Sequence, residues 1–281
     1  MSRPTTVYEP PALRRIHPLA AVGHLWQFAD LFLTLSLHRL NVRYKQTRLG
    51  IVWAMIQPLA MMLVFTLMFS FLRTYPSEQV PFPLFAYSAL MPWTMFSSGL
   101  TSASMSLTSH ASLLTKVYFP REILPLSYIF AALVDLALAS LVLAALMIWF
   151  GVTLAATAIW ALPALALLTA LLVGSGLLLS ALQVRYRDIG LAMPIMMQVW
   201  LFASPVLYPL DAVKAALPPP LYVLYTLNPM AGVIDAFRRA LVLHQTPDVY
   251  ALGMSALVAV ILVPAAYIYF KYVELTMADV V

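Results

Sequence analysis

Six long apolar stretches constrain this chain more than any other feature of its sequence. Each is about as long as the roughly 20 helical residues that cross the hydrocarbon core of a bilayer. They lie at about 50–72, 84–108, 123–150, 156–183, 189–209 and 250–272. Of the 281 residues, 63% are hydrophobic and only 10% are charged, far from the composition of a soluble domain. The sequence therefore predicts an integral membrane protein.

The residues within these stretches favour helices over the strands of a membrane barrel. Barrel strands alternate apolar and polar residues over about 10 positions, whereas the run 131–150 is interrupted only by Asp135 and Ser140. We therefore expect an all-α protein with six transmembrane helices. Asp135 is the one acidic residue well inside a span, and two interpretations are open. It faces a channel, or it makes a polar contact with a neighbouring helix or a dimer mate.

The distribution of Lys and Arg predicts the orientation in the membrane. With six spans, the connections alternate between the two sides, and both termini share one side. That side carries 12 of the 16 basic residues, and the other side carries four. Cytoplasmic segments carry the excess of Lys and Arg, so we expect both termini in the cytoplasm. Because these cations lie beside spans, the formal net charge of +5 indicates anionic headgroups rather than nucleic acid as the partner.

A helix in the plane of the membrane is predicted before the first span, over about 24–41. Its polar residues recur at intervals of three or four, which places them on one stripe of a helix. They are Gln27, Asp30, Thr34, His38 and Asn41. Such a stripe is typical of a helix lying in the membrane interface. The alternative is a seventh span packed on a polar partner. The sequence thus divides into a cytoplasmic segment 1–49 and a six-span domain 50–281.

Two short apolar pieces separate the last two stretches. The triple proline at 218–220 and the pair Asn228-Pro229 interrupt the chain, and neither piece is long enough to span alone. Two re-entrant helices at about 214–243, entering from outside and meeting at Asn228-Pro229, fit this pattern. Irregular backbone at membrane depth needs protein or a water-filled cavity around it, which indicates a pathway. The alternative is an amphipathic outer loop resting on the bilayer.

Several enzyme signatures are missing from the sequence. The chain has no G-x-x-x-x-G-K-[ST] phosphate-binding loop, no H-E-x-x-H pair, no D-x-D pair and no cysteine. We therefore expect that it neither hydrolyses ATP itself nor holds a metal, and that it is not an enzyme. A membrane-embedded glycosyltransferase or an assembly scaffold is the alternative from another functional class.

Five strings, in this order and at these spacings, carry a family resemblance. They are Arg43 to Gly50 with Trp53-Ala54 and Gln57-Pro58, Thr115 to Arg121, Val184 to Asp188, Ser204-Pro205-Val206 with Tyr208-Pro209, and Leu227-Asn228-Pro229-Met230. Over about 24–245 the chain resembles the permease subunit of ABC transporters that export lipid-linked polysaccharides, such as O-antigen, and polyol-phosphate polymers. The strings are more specific for the superfamily than for the cargo, and an exporter of a small lipid or drug is the alternative within transport.

The resemblance implies partners and architecture. It implies a homodimer of six-span subunits in the bacterial inner membrane, with two copies of an ABC ATPase subunit docked on the cytoplasmic face. ATP and Mg would be bound by that partner, and this chain would carry no cofactor. The resemblance also implies an amphipathic interface helix, a cytoplasmic coupling helix between spans 2 and 3, and two re-entrant outer helices after span 5. The substrate would be a lipid-linked polysaccharide, with membrane lipids around the subunit.

The segment 109–122 is the predicted contact with the ATPase. It places apolar residues between cations, and such a tip fits a groove on a partner that pushes it as a rigid body. The predicted coupling residues are Lys116, Val117, Tyr118, Phe119, Pro120 and Arg121. The alternative is a simple helix-capping turn.

Four cations follow the interface helix or lie at its end: Arg39, Arg43, Lys45 and Arg48. Guanidinium groups bind phosphate oxygens in pairs, so these residues are predicted to bind lipid phosphates or headgroups. The alternative is anchoring by snorkelling side chains at the cytoplasmic surface.

A sugar channel favours aromatic surfaces with scattered hydrogen-bonding groups. The predicted channel or gate residues are Trp53, Tyr208, Asn228, Pro229, Asp235, Arg238 and Arg239. Asp235, Arg238 and Arg239 stand at i, i+3 and i+4, which permits a local ion pair, and we interpret them as gate structure rather than substrate contacts. For Trp93 and Trp200 an aromatic belt at the membrane surface is the favoured interpretation.

Overall fold

The computed structural model of the chain describes residues 27–45, 47–72, 80–116, 119–275 and 277, and all regular structure in these ranges is helical. The predicted coupling residues Val117 and Tyr118 lie outside the described residues, as do positions 24–26 of the predicted interface helix. Twelve α-helices are described: α1 Ala29–Tyr44, α2 Trp53–Leu72, α3 Phe82–Ser104, α4 Ser106–Ser109, α5 Ala111–Lys116, α6 Ile123–Trp149, α7 Ala161–Arg185, α8 Asp188–Ala203, α9 Leu210–Ala216, α10 Pro219–Thr226, α11 Pro229–Arg238 and α12 Val249–Glu274.

Three short turns extend these helices. A tight 3₁₀ turn, Gly50–Val52, precedes α2, and a second, Ala156–Trp160, precedes α7. A wider π turn, Arg239–Leu243, continues α11. With these turns included, four helices of the described chain are long and apolar enough to cross a membrane: Gly50–Leu72, Ile123–Trp149, Ala156–Arg185 and Val249–Glu274. They agree with four of the predicted spans to within a few residues.

The other two predicted spans differ from the helices found at their positions. The stretch 84–108 corresponds to α3, which is 23 residues long but carries several Ser and Thr residues and is buried along most of its length by other helices. The stretch 189–209 is too long, because α8 ends at Ala203. Ser204 precedes Pro205 and adopts an extended conformation, as proline disfavours helical geometry in the residue before it. That these two helices also span remains a prediction.

The region after α8 contains three short helices rather than two. α9 lies before the triple proline, and α10 begins at that triple proline with Pro219 and Pro220 in its first turn. Proline is well suited to this place, because the first residues of a helix need no internal N–H bond. α10 and α11 meet at Asn228-Pro229, as the sequence predicted.

α3 is the centre of the bundle and packs against α2, α6, α7 and α11, while α12 packs on α7 and α11. α7 and α12 run side by side in the same direction, since Gly174 meets Val263 and the end of α7 meets Phe270. We call the end of the bundle that carries α1, α4 and α5 the lower end. The end that carries α9, α10 and α11 is the upper end.

In the described part of the chain, α1 runs from Ala29 to Tyr44, so it ends three residues later than predicted. Its polar residues Thr34, His38 and Asn41 are exposed, which fits the predicted stripe. Leu31, Phe32 and Leu35 pack against the apolar cluster of the lower end. α1 continues to Tyr44 because its last two side chains are held by Asp135 of α6.

Candidate functional site

The predicted coupling segment folds back onto its own chain. Leu114, Phe119 and Ile123 belong to one apolar cluster with Phe270 and Val273 of α12. Phe119 is only 5% exposed, and Pro120 is buried beside it. The expectation that Phe119 stands on an exposed apolar tip is therefore wrong, because the end of α12 offers it an apolar surface within the chain. Lys116 is exposed, as expected for a contact residue.

Ion pairs and a hydrogen bond also join the predicted coupling segment to α12. The Nζ atom of Lys271 lies 2.8 Å from Oε1 of Glu122 and 2.8 Å from Oε2 of Glu274. The guanidinium of Arg121 donates to the backbone oxygen of Glu274 at 2.8 Å. Of this set, only Arg121 was predicted from the sequence as a site residue. Lys271 and Glu274 stand at i and i+3, which is a weak local signal, but Glu122 is 149 residues from its partner.

Two of the predicted headgroup cations are bound within the chain. Nη1 of Arg43 lies 2.6 Å from Asp135, whose carboxylate also accepts a hydrogen bond from the Tyr44 hydroxyl. The guanidinium of Arg39 lies 4.1 Å from the centre of the Tyr128 ring. Asp135 thus makes the polar contact with a neighbouring helix that was one of its two interpretations. Burial and the adjacent carboxylate raise the pKa of Tyr44, so its phenol is a neutral donor.

Lys45 and Arg48 differ from the other two cations. Both are exposed, and neither forms an ion pair in the described part of the chain. These two predicted headgroup-binding residues therefore present exposed cations at the lower end, without an ion pair to any described residue. Headgroup binding by any of the four remains a prediction.

At the upper end, Arg238 and Arg239 have different partners. Arg239 forms the predicted i, i+4 ion pair with Asp235, at 2.7 Å, and a second one with Asp211 of α9, also at 2.7 Å. Arg238 is fully buried and donates to the carbonyl oxygens of Pro205, Val206 and Tyr208. Its guanidinium lies 3.8 Å from the centre of the Phe85 ring. The two arginines thus connect α11 to the turn after α8 and to α9.

Asn228 connects the end of α8 to the start of α11. Its side-chain oxygen accepts hydrogen bonds from Nε1 of Trp200 at 2.8 Å and from the N–H of Met230 at 3.1 Å, so it caps α11. Its amide nitrogen donates to the hydroxyl of Ser204 at 2.9 Å. Pro229 is the first residue of α11, where proline is favoured.

The aromatic residues divide between the two ends. At the upper end, the Tyr208 hydroxyl donates to the backbone oxygen of Phe202 at 2.9 Å and lies 3.2 Å from the hydroxyl of Tyr225. Trp93 is buried against Trp200 and Phe96, so its assignment to an aromatic belt is wrong. Trp53 begins α2 at the lower end and is 49% exposed, so the structure does not place it with the other predicted gate residues.

Comparison with known proteins gives the family. Residues 31–242, three quarters of the chain, match the family model described as ABC-2 type transporter. The chain belongs to the ABC-2 type transporter family. The matched region includes α1 from Leu31 onward, the predicted coupling segment, α8 and α11, and thus nearly all of the candidate residues described above.

Curated relatives resemble this ABC-2 type transporter along most of its length. It is 29% identical to the O-antigen export system permease protein RfbA of Myxococcus xanthus over 250 residues, which cover 87% of this chain and 93% of that protein. It is 25% identical to RfbA of Klebsiella pneumoniae, with 77% of this chain and 81% of that protein covered. It is 26% identical to the polysialic acid transport protein KpsM of Escherichia coli, with 73% and 79% covered.

Proposed function

We propose that this chain is the membrane-embedded permease of an ATP-driven exporter that moves a lipid-linked polysaccharide, O-antigen or a related cell-surface polymer, across the bacterial inner membrane. The observation that carries the proposal is the match of residues 31–242 to the ABC-2 type transporter family, together with relatives named for O-antigen export and polysialic acid transport. The relatives are covered over 79–93% of their own lengths, so the likeness extends over most of each protein and is not confined to one short segment.

An ABC ATPase would supply the energy in this proposal. The chain has no phosphate-binding loop of its own, and two ATPase subunits would dock on the cytoplasmic face of a permease homodimer. The short helices α4 and α5, with exposed Lys116, form the part of the lower end suited to that contact. Closure of the ATPase pair would push this segment as a rigid body.

The upper end would form the exit gate. Arg238, Arg239 and Asn228 bind α11 to the turn after α8 and to α9, so these elements would move together when the path between the two permeases opens. At the lower end, the exposed cations Lys45 and Arg48 would attract the phosphates that link polymer to lipid. Both termini would lie in the cytoplasm, on the side that carries most of the Lys and Arg.

Reconstitution in proteoliposomes tests this function. The permease is copurified with an ABC ATPase of the polysaccharide-export type from the same bacterium, and hydrolysis and transport of a lipid-linked polysaccharide are measured with and without ATP. We expect a stable complex and ATP-dependent transport, and we expect Lys116→Glu to lower both. A permease that binds no such ATPase contradicts the proposal. A complex that moves a fluorescent short-chain lipid but no polymer replaces the cargo with a small lipid.

A further inference from the structure

The ion cluster between the coupling segment and α12 is built around one buried carboxylate, that of Glu122. Glu122 is 3% exposed, although it belongs to the segment 109–122 that we assign to the ATPase contact. Both of its carboxylate oxygens contact the Nζ of Lys271, at 2.8 and 2.9 Å. Lys271 also bonds Glu274, and Arg121 bonds the backbone of Glu274. Two consecutive residues of the segment are thereby bonded to the last turns of α12. We call these four residues the clasp.

The surroundings of the clasp make it hard to open. Phe119 and Ile123 lie on either side of Arg121 and Glu122 in sequence, and both belong to one buried apolar cluster with Phe270 and Val273 of α12. Separating the segment from α12 would expose this apolar contact and leave the buried carboxylate of Glu122 without its cation. Leaving a buried charge uncompensated is costly. The segment 119–122 and the lower end of α12 therefore form one rigid unit.

The other end of α12 holds the proposed gate. Gly232 of α11 lies so close to α12 that a Cβ atom there would clash with the backbone oxygen of Ala251 and with Oγ of Ser255. Asp248 caps α12 at this end by accepting a hydrogen bond from the N–H of Ala251, at 3.0 Å. The 26 residues of α12 extend roughly 39 Å. One continuous helix therefore contacts the coupling segment at one end and α11 at the other.

We propose that α12 is the element that carries movement of the coupling segment to the gate, and that the clasp of Arg121, Glu122, Lys271 and Glu274 positions it for this purpose. The inference rests on the proposed function and adds the route between the ATPase contact and the upper end. A push on residues 119–122 displaces α12 as a whole, because neither the charged nor the apolar contacts let the segment slide along it. Displacement of α12 also shifts α11, because α11 is in close contact with α12 at Gly232.

Substitution of single clasp residues distinguishes a role in transmitting movement from a purely structural one. Glu122→Gln and Lys271→Met are compared with Lys214→Met, which removes a more exposed ion pair to Asp248 at the opposite end of α12. In the reconstituted complex, we expect the two clasp variants to raise the ratio of ATP hydrolysed to polymer exported about fivefold or more. We expect Lys214→Met to keep the wild-type ratio. Hydrolysis and export that fall in proportion in the clasp variants overturn the proposal, because loss of folded protein has that effect.

A chemical cross-link provides the converse test. The chain has no cysteine, so Glu122→Cys with Lys271→Cys introduces its only two thiols. We expect a bifunctional methanethiosulfonate to restore a near-wild-type ratio to this variant, and a reducing agent to abolish the restoration. Cross-linked protein that hydrolyses ATP without exporting polymer shows that the segment must move relative to α12 and overturns the inference. A wild-type complex without ATP-dependent export refutes the proposed function itself, which distinguishes the two failures.

Discussion

Arg238 is a buried cation whose partners are backbone carbonyl oxygens rather than a carboxylate. Its two terminal nitrogens donate to the carbonyl oxygens of Pro205, Val206 and Tyr208 in the turn after α8, and its guanidinium lies on the ring of Phe85. A planar group with several fixed donors can satisfy three carbonyls at once, which the single ammonium of lysine does less well. Arg238 therefore holds the turn 205–208 against α11.

Replacing Arg238 gives a prediction about stability. Arg238→Met leaves three carbonyl oxygens without a donor, and we expect the free energy of unfolding to fall by about 3 kcal/mol. Arg238→Lys is expected to recover only part of this loss. The measurement is thermal unfolding of the detergent-purified protein, with Arg185→Met as the control, because Arg185 is an exposed cation at the lower end of α7. Equal unfolding temperatures for Arg238→Met and the control would show that the carbonyl contacts contribute little.

The ion pair of Arg43 and Asp135 joins two elements, α1 and α6. The side chain of Arg43 is 33% exposed and that of Asp135 is 10% exposed. Without Arg43, the carboxylate stays at membrane depth without a cation, whereas without Asp135 the arginine can turn to the interface. Loss of Arg43 is therefore expected to cost more stability than loss of Asp135, and the attachment of α1 depends more on Arg43.

This asymmetry predicts unequal effects of the two substitutions. We expect Arg43→Met to destabilise the protein by about 3 kcal/mol and Asp135→Asn by about 1 kcal/mol. Arg43→Met combined with Asp135→Leu should destabilise the protein less than Arg43→Met alone, because no buried carboxylate is then left without its cation. Unfolding measurements on the three variants decide this. A double variant as unstable as Arg43→Met alone would mean that Arg43 acts through headgroup phosphates and not through Asp135.

The helices were predictable from the sequence wherever a local signal defines them. The spans at 50–72, 123–150, 156–183 and 250–272 agree with described helices because unbroken apolar runs have few other solutions in a bilayer. α8 was predicted too long because its apolar run continues past Pro205, where the helix ends. α9 was missed as a separate helix because its seven residues carry little periodic signal.

The candidate site was less predictable, because its contacts join distant parts of the chain. The pair Asp235 and Arg239 is local and was expected, whereas Glu122 and Lys271 are 149 residues apart and Arg43 and Asp135 are 92 apart. Burial of Phe119 depends on the end of α12, which no spacing within 109–122 reveals. Sequence patterns indicated which charged residues were candidates for a site, but which of them form ion pairs with one another is evident only from the packed bundle.

The orientation of the chain in the membrane can be tested at two exposed lysines, Lys116 and Lys214. Six spans place Lys116 on the cytoplasmic side and Lys214 on the outer side, since five crossings, α2, α3, α6, α7 and α8, precede Lys214. This depends on α3 and α8 crossing, although α3 is rich in Ser and Thr and α8 has only 16 residues. α3 can cross because surrounding helices bury most of its length, so its polar side chains need not face lipid.

Thiol labelling measures this topology directly in a chain without cysteine. In intact spheroplasts, we expect a membrane-impermeant maleimide to label Lys214→Cys at once and Lys116→Cys only after permeabilisation. Both side chains are exposed, so a difference in labelling reports their side of the membrane and not their burial. If α3 failed to cross, Lys116→Cys would react from outside. If α8 alone failed, Lys214→Cys would be protected, and the proposed gate would lie on the wrong side for export.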